Sequence, residues 1–162
     1  MEFYHIKDKY ISFLRAYDSK VPENKQESRP YLGIVFQLGP IKYYAPFSSP
    51  KPKHKKMRNG KDFRKIANGQ YGAINFNNMI PVVDEALIFI DINSIEDKHY
   101  KNLLSNQYRA IIADSDQIKQ TAEALHKLLM KNTNNLSDYE RKVEERCCDL
   151  KLLEKVYSAY KV

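Results

Sequence analysis

Two hydroxyls and a lysine, Ser48, Ser49 and Lys51, stand where an apolar, strand-like run over residues 43–47 breaks at prolines. Pro50 fixes the turn between them, so the lysine can return toward the hydroxyls. A hydroxyl can position or relay a proton, and an ammonium lowers the cost of negative charge. Arg29, immediately before the preceding strand-like run, adds a guanidinium able to hold two phosphate oxygens at once. The full stretch over residues 43–56, YYAPFSSPKPKHKK, continues into a dense row of cations.

Charge is concentrated there. Residues 42–65 hold nine basic side chains against the single acid Asp62, whereas the whole chain of 162 residues carries +7, so the remainder sums to minus one. One cationic stretch on a near-neutral body is an electrostatic footprint for a polyanion, with nucleic acid the leading partner. Lys53, His54, Lys55, Lys56, Arg58 and Lys61 are the candidate phosphate contacts. His54, set among lysines, is expected to resist protonation and to serve in a flexible phosphate clamp. If the polyanion is RNA, cleavage without a metal needs three things. They are removal of a proton from the ribose 2′-OH, stabilisation of charge on a five-coordinate phosphorus, and a proton for the departing 5′-oxygen. Serine, lysine, arginine and tyrosine side chains can share these tasks.

Other chemistries find little support. The sequence contains no GxxxxGK[ST], GxGxxG, CxxC or HExxH pattern. The four histidines, His5, His54, His99 and His126, are dispersed, and Asp114 and Asp116 read as helix caps, so neither a metal nor a cofactor is expected. Cys147 and Cys148 are adjacent, which suits no loop-closing disulfide, and they read as reduced helix residues. No apolar run reaches the roughly 18 residues a membrane span requires. The N-terminal residues lack a signal-peptide pattern, so the cytoplasm is the expected compartment.

The elements that must hold these groups follow from pattern. The length suits one domain over residues 1–162. Residues 3–6 form a short strand, and Tyr10, Phe13, Leu14 and Tyr17 recur at helical spacing behind it. Residues 31–38 and 41–47, joined by Gly39-Pro40, predict an antiparallel hairpin. A count across that hairpin takes Arg29 and residues 48–51 toward different ends, so added curvature must reunite them. Residues 61–66 fit a helical turn or a strand, residues 72–83 predict a strand interrupted by a bend, and residues 86–92 a buried strand. Two helices follow, bent at Asp114 with Ser115 as capping candidate. A terminal helix then starts at the capping box Ser137–Glu140 and runs to Tyr160. The sum is an α+β fold, β-rich first and helical second.

The succession KYISFLRAYDSKV, RPYLGIVF, YYAPFSSPKPKHKK, GAINFNNMIPV and the helical QYRAI segment resembles the ToxN/AbiQ family of type III toxin–antitoxin endoribonucleases, in order and over nearly the whole chain. The resemblance implies a compact, strongly twisted antiparallel sheet, a Kid/MazF-like barrel core surrounded by helices. It implies metal-independent cleavage of A-rich mRNA that leaves a 2′,3′-cyclic phosphate and a 5′-OH, in the service of phage defence by abortive infection. Its implied partner is a small repetitive antitoxin RNA, cut by the toxin into pseudoknots that close into toxin–RNA rings. Carried onto this chain, the family's S-P-K motif falls on Ser49 and Lys51. The hydroxyl before it falls on Ser48, the early helix tyrosine on Tyr10, and the basic residue ahead of the strand on Arg29. Two other readings stand beside this one: an RNA-binding module without catalysis, and a DNA-binding regulator. The second lacks a helix that combines basic and base-reading side chains.

Overall fold

The computed structural model describes all 162 residues. In chain order the elements are β1 (Glu2–Ile6), α1 (Asp8–Arg15), β2 (Tyr31–Leu38), β3 (Ile41–Ser48), α2 (Pro52–Lys56), β4 (Phe63–Lys65), β5 (Ala73–Asn75), β6 (Ile80–Pro81), β7 (Leu87–Phe89), α3 (Lys98–Ala113), α4 (Ser115–Met130), α5 (Asp138–Arg146) and α6 (Leu150–Val156). The strands form one antiparallel sheet in the order β4-β5-β3-β2-β1-β7, with β6 also paired to β3. This is the mixed helix and antiparallel sheet expected, but the sheet is open, with β4 and β7 at its ends. No helix is long and apolar enough to cross a membrane.

β3 is the strand on which the sheet is built. Its residues 43–47 are all buried, because β2 covers one edge while β5 and β6 share the other. The predicted bend over residues 72–83 is a 3₁₀ turn at Phe76–Asn78, which lets one stretch of chain pair twice along β3. Thirty-four buried residues make one continuous core, in which α1 contributes Tyr10, Ile11 and Leu14.

The hairpin corrects one expectation. Antiparallel pairing sets the residue before the first strand beside the residue that ends the second, so Arg29 and Ser48 belong to the same end. Leu38 pairs with Ile41 at the turn, and Tyr31 pairs with Pro46 at the far end, with an irregularity between Gly33 and Phe36. Continuing the register of the turn would set Arg29 against Pro50. The bulge moves the far-end pairing to Tyr31 with Pro46, so Arg29 and Ser48 both leave the ladder at that end.

Three other expectations change. β7 lies at an edge, with Phe89 58% exposed, because only β1 pairs with it. The terminal helix is two helices. Cys148 N–H donates to the Asn77 carbonyl, Asp149 N–H to the Asp18 carboxylate, and the Asp149 side chain then caps α6 at Leu152. The cysteines therefore lie between helices as buried free thiols, and burial pushes Cys147 up to about 12. At the α3–α4 joint Ser115 is already helical, and Asp114 binds Arg64 rather than capping α4. The Ser137–Glu140 capping box is present as expected.

Candidate active site

A cleft of about 870 Å³ opens at the end of β3. Ser48 and Ser49 line it where the strand stops, Lys51 follows the Pro50 turn, and Arg29 enters from the head of β2. Phe47 N–H donates to the Pro30 carbonyl at 3.2 Å, which carries the strand pairing up to the cleft. Arg29 is half-buried, and its Nε donates to the Glu23 carbonyl at 2.9 Å. That bond uses the inner nitrogen and leaves the two terminal amino groups of the fork for a ligand.

The lysine-rich row is not a loop. Pro52 at the first helical position presets the backbone, and residues 52–56 close into the short helix α2. Lys51 N–H donates to His54 Nδ1 at 3.1 Å, so the imidazole turns inward and is only 3% exposed. The expected place of His54 in a flexible clamp is thereby corrected: it borders the cleft as a buried brace behind Lys51, held in a short helix. Burial, then Lys51 and Lys53, lowers its pKa below the usual histidine value, so the neutral ring that the Nδ1 acceptor requires is favoured. The same turn splits the cations. Lys53 and Arg58 line the cleft, whereas Lys55 and Lys56 are exposed outside its lining. Lys61 lies on a neighbouring groove of about 490 Å³ with Lys127 and Lys131.

Tyr10 is not brought to this site. It is fully buried, its hydroxyl donates to the Pro81 carbonyl at 2.7 Å, and Tyr160 packs on its ring. Its helical spacing with Ile11 and Leu14 belongs to the core stripe of α1, and burial raises its pKa above the ordinary phenol value.

Several lining residues were not singled out by sequence. Asp62, nearly buried, takes a two-point bond from Arg146 of α5 at 2.7 and 2.9 Å, which fixes one wall. Tyr100 and Gln107 of α3 line another. Gln107 carried a readable signal, since it stands between Leu104 and Ile111 on the buried face of the helix, where a polar side chain needs a reason. Behind the strand end that carries Ser48, Gly72 has φ of +101° and approaches the Ser48 carbonyl so closely that only a glycine fits. The result is two hydroxyls, an ammonium and a guanidinium on one polar concave surface. It is suited to binding a phosphodiester and stabilising charge on it.

Comparison with known proteins identifies the family and the fold. The family model described as "Toxin ToxN, type III toxin-antitoxin system" matches residues 2–158. The "Endoribonuclease ToxN" of Pectobacterium atrosepticum is 33% identical over 159 residues, covering 90% of this chain and 93% of that protein. Among solved structures, a type III toxin described as selectively inhibited by a non-coding RNA pseudoknot superposes with a TM-score of 0.85 at 30% identity, covering 98% of this chain and 96% of the other. A second, from a bacterial antiviral system regulated by a processed non-coding RNA, gives 0.83 at 28% identity with full coverage of both chains.

Proposed function

The chain belongs to the ToxN family of type III toxin–antitoxin toxins, and on that footing we propose that it is an endoribonuclease whose active site is the cleft at the end of β3. One observation carries the proposal. The antiparallel pairing of Tyr31 with Pro46 brings the residues just beyond it to one end of the hairpin, where the guanidinium of Arg29, both hydroxyls and Lys51 line a single cleft.

In this reading Ser49 positions the ribose 2′-OH and relays its proton toward water, while the 2′-oxygen bonds to phosphorus. Lys51 and the fork of Arg29 stabilise the charge on the five-coordinate phosphorus, and Ser48 orients a non-bridging oxygen. The bond from phosphorus to the 5′-oxygen breaks, that oxygen takes a proton from water, and the products are a 2′,3′-cyclic phosphate and a 5′-OH. The roles fall to this chain's own side chains without a metal, since the one nearly buried carboxylate of the lining, Asp62, is already held by Arg146. Lys53, Lys55, Lys56, Arg58 and Lys61 grip the RNA on either side.

The substrates are A-rich mRNA and the protein's own repetitive antitoxin RNA, whose pseudoknot units inhibit the toxin and close with it into rings. The pseudoknot inhibitor of the related toxin and the antiviral setting of the second structural relative support this partner and a role in phage defence. The protein acts as one domain over residues 1–162, in the cytoplasm. The test is to incubate the purified protein with a short A-rich RNA in the presence of EDTA and to map the fragment ends. Fragments with cyclic 3′ ends are expected. Binding without fragments would leave an RNA-binding module without catalysis, and cleavage abolished by EDTA would refute the metal-independent route.

A further inference from the structure

The buried face of α3 contains one residue that a helix core would not choose. Leu104, Gln107 and Ile111 follow one another along it, each about 1% exposed, and the middle one is an amide. Gln107 Nε2 donates to the Tyr71 carbonyl at 2.8 Å and to the Ser48 carbonyl at 3.3 Å. The amide orientation follows from its partners, because the reverse would set its oxygen against two carbonyl oxygens. Its Oε1 is buried with no hydrogen-bond partner. A leucine would occupy a similar volume without that orphaned acceptor, so the amide is disfavoured as core packing and its value must lie in its donors.

What the donors hold is the end of β3. Pairing between β3 and β5 stops at Ser48 opposite Ala73, and beyond it no ladder fixes the chain. Gln107 takes over at that point and ties the Ser48 carbonyl to the Tyr71 carbonyl, just ahead of β5. The peptide after Ser48 is planar, so fixing its carbonyl also fixes the N–H and the Cα of Ser49.

We propose that Gln107 is a positioning residue for the cleavage reaction: by donating to the carbonyls of Ser48 and Tyr71 it locks the peptide that aims the Ser49 hydroxyl into the cleft. The inference rests on the proposed function of that cleft. A catalytic hydroxyl displaced by about 1 Å forfeits about a hundredfold in rate, and substrate affinity, spread over many phosphate contacts, is left nearly intact.

The test uses two variants of the full chain. Single-turnover cleavage is measured at saturating protein, and affinity is measured on an RNA with a 2′-deoxy substitution at the cleavage site, which cannot cyclise. Q107L is expected to lose about a hundredfold in rate while its Kd stays within about threefold of wild type. Q107E, with its rate expressed per folded molecule from circular dichroism at each pH, supplies a readout that a merely structural role would not move. Its ionised carboxylate faces two carbonyls, whereas its protonated acid restores one donor. The ratio of its rate to that of wild type is therefore expected to rise about tenfold or more as pH falls from about 8 to about 5.5. Should Q107L fail to fold, Q107E carries the test alone, because its two protonation states are compared in one protein. Wild-type rate in Q107L, a loss of affinity that accounts for the whole loss of rate, or a Q107E ratio flat with pH would each overturn the inference. Wild-type protein that leaves RNA intact would instead bring down the proposed function itself, and the inference with it.

Discussion

Gly72 lies against the carbonyl of Ser48 so closely that a Cβ on it would overlap the carbonyl oxygen and stand 2.9 Å from the carbonyl carbon. Its φ of +101° adds a backbone conformation that other residues rarely adopt. Gly72→Ala is therefore expected to cost about 2–4 kcal/mol, overpacking and backbone strain together, and to lower activity further by displacing Ser48. A urea midpoint unchanged from wild type would contradict this placement of the strand end.

Ser49 and Lys51 are assigned different tasks, and kinetics can separate them. Ser49→Ala is expected to reduce single-turnover cleavage by about a hundredfold or more with little change in RNA affinity. Lys51→Gln should lower rate and affinity together if the ammonium holds phosphate in both ground and transition states. A Ser49→Ala protein that cleaves at the wild-type rate would remove the hydroxyl from the mechanism.

Arg29 commits Nε to the Glu23 carbonyl, and the proposed mechanism gives the rest of its guanidinium to the phosphate. A lysine keeps the charge but has one ammonium for both duties. Arg29→Lys is thus expected to lose about tenfold in rate, and Arg29→Ala about a hundredfold, both read from single-turnover assays. Equal rates for the lysine variant and wild type would show that charge alone is used.

His54 makes stability depend on pH. Its pKa in the folded protein lies below the ordinary value near 6.5, chiefly through burial and then through Lys51 and Lys53. The unfolded chain therefore takes up the proton first as pH falls. The stabilisation is complete above the ordinary histidine value and is lost as pH drops through the folded one. Protonation of Nδ1 also removes the acceptor for Lys51 N–H. Between about pH 7 and pH 5, chemical denaturation should show wild type losing more stability than His54→Gln, which keeps an acceptor without the titration. Parallel pH profiles for the two proteins would rule this out.

The exposed lysines of α2 are assigned to phosphate contact rather than to chemistry. Replacing Lys53, Lys55 and Lys56 together by glutamine should lower the slope of log affinity against log salt by about two for single-stranded RNA. The cleavage rate at saturation should change far less. An unchanged slope would mean that α2 does not touch the RNA.

Sequence by itself determined what depends on neighbours along the chain. Alternating and helical spacing located most strands and helices, and the Ser137–Glu140 box marked the start of α5. The Ser48–Lys51 motif, Lys53 and Arg58 fall in the cleft, and residue type and charge can be read position by position, whereas the split that leaves Lys55, Lys56 and Lys61 outside it could not be. Tertiary structure alone decided what depends on partners far away in sequence. The register of a bulged hairpin brought Arg29 and Ser48 to one cleft, and Asp18 and Asn77 ended a helix that local spacing would have continued. The core claimed Tyr10, and His54 turned inward to brace Lys51. Gln107 reached a carbonyl 59 residues away. In each case a hydrogen bond or packing contact outweighs a local preference, because leaving a buried polar group unpaired costs more than helix or strand propensity contributes.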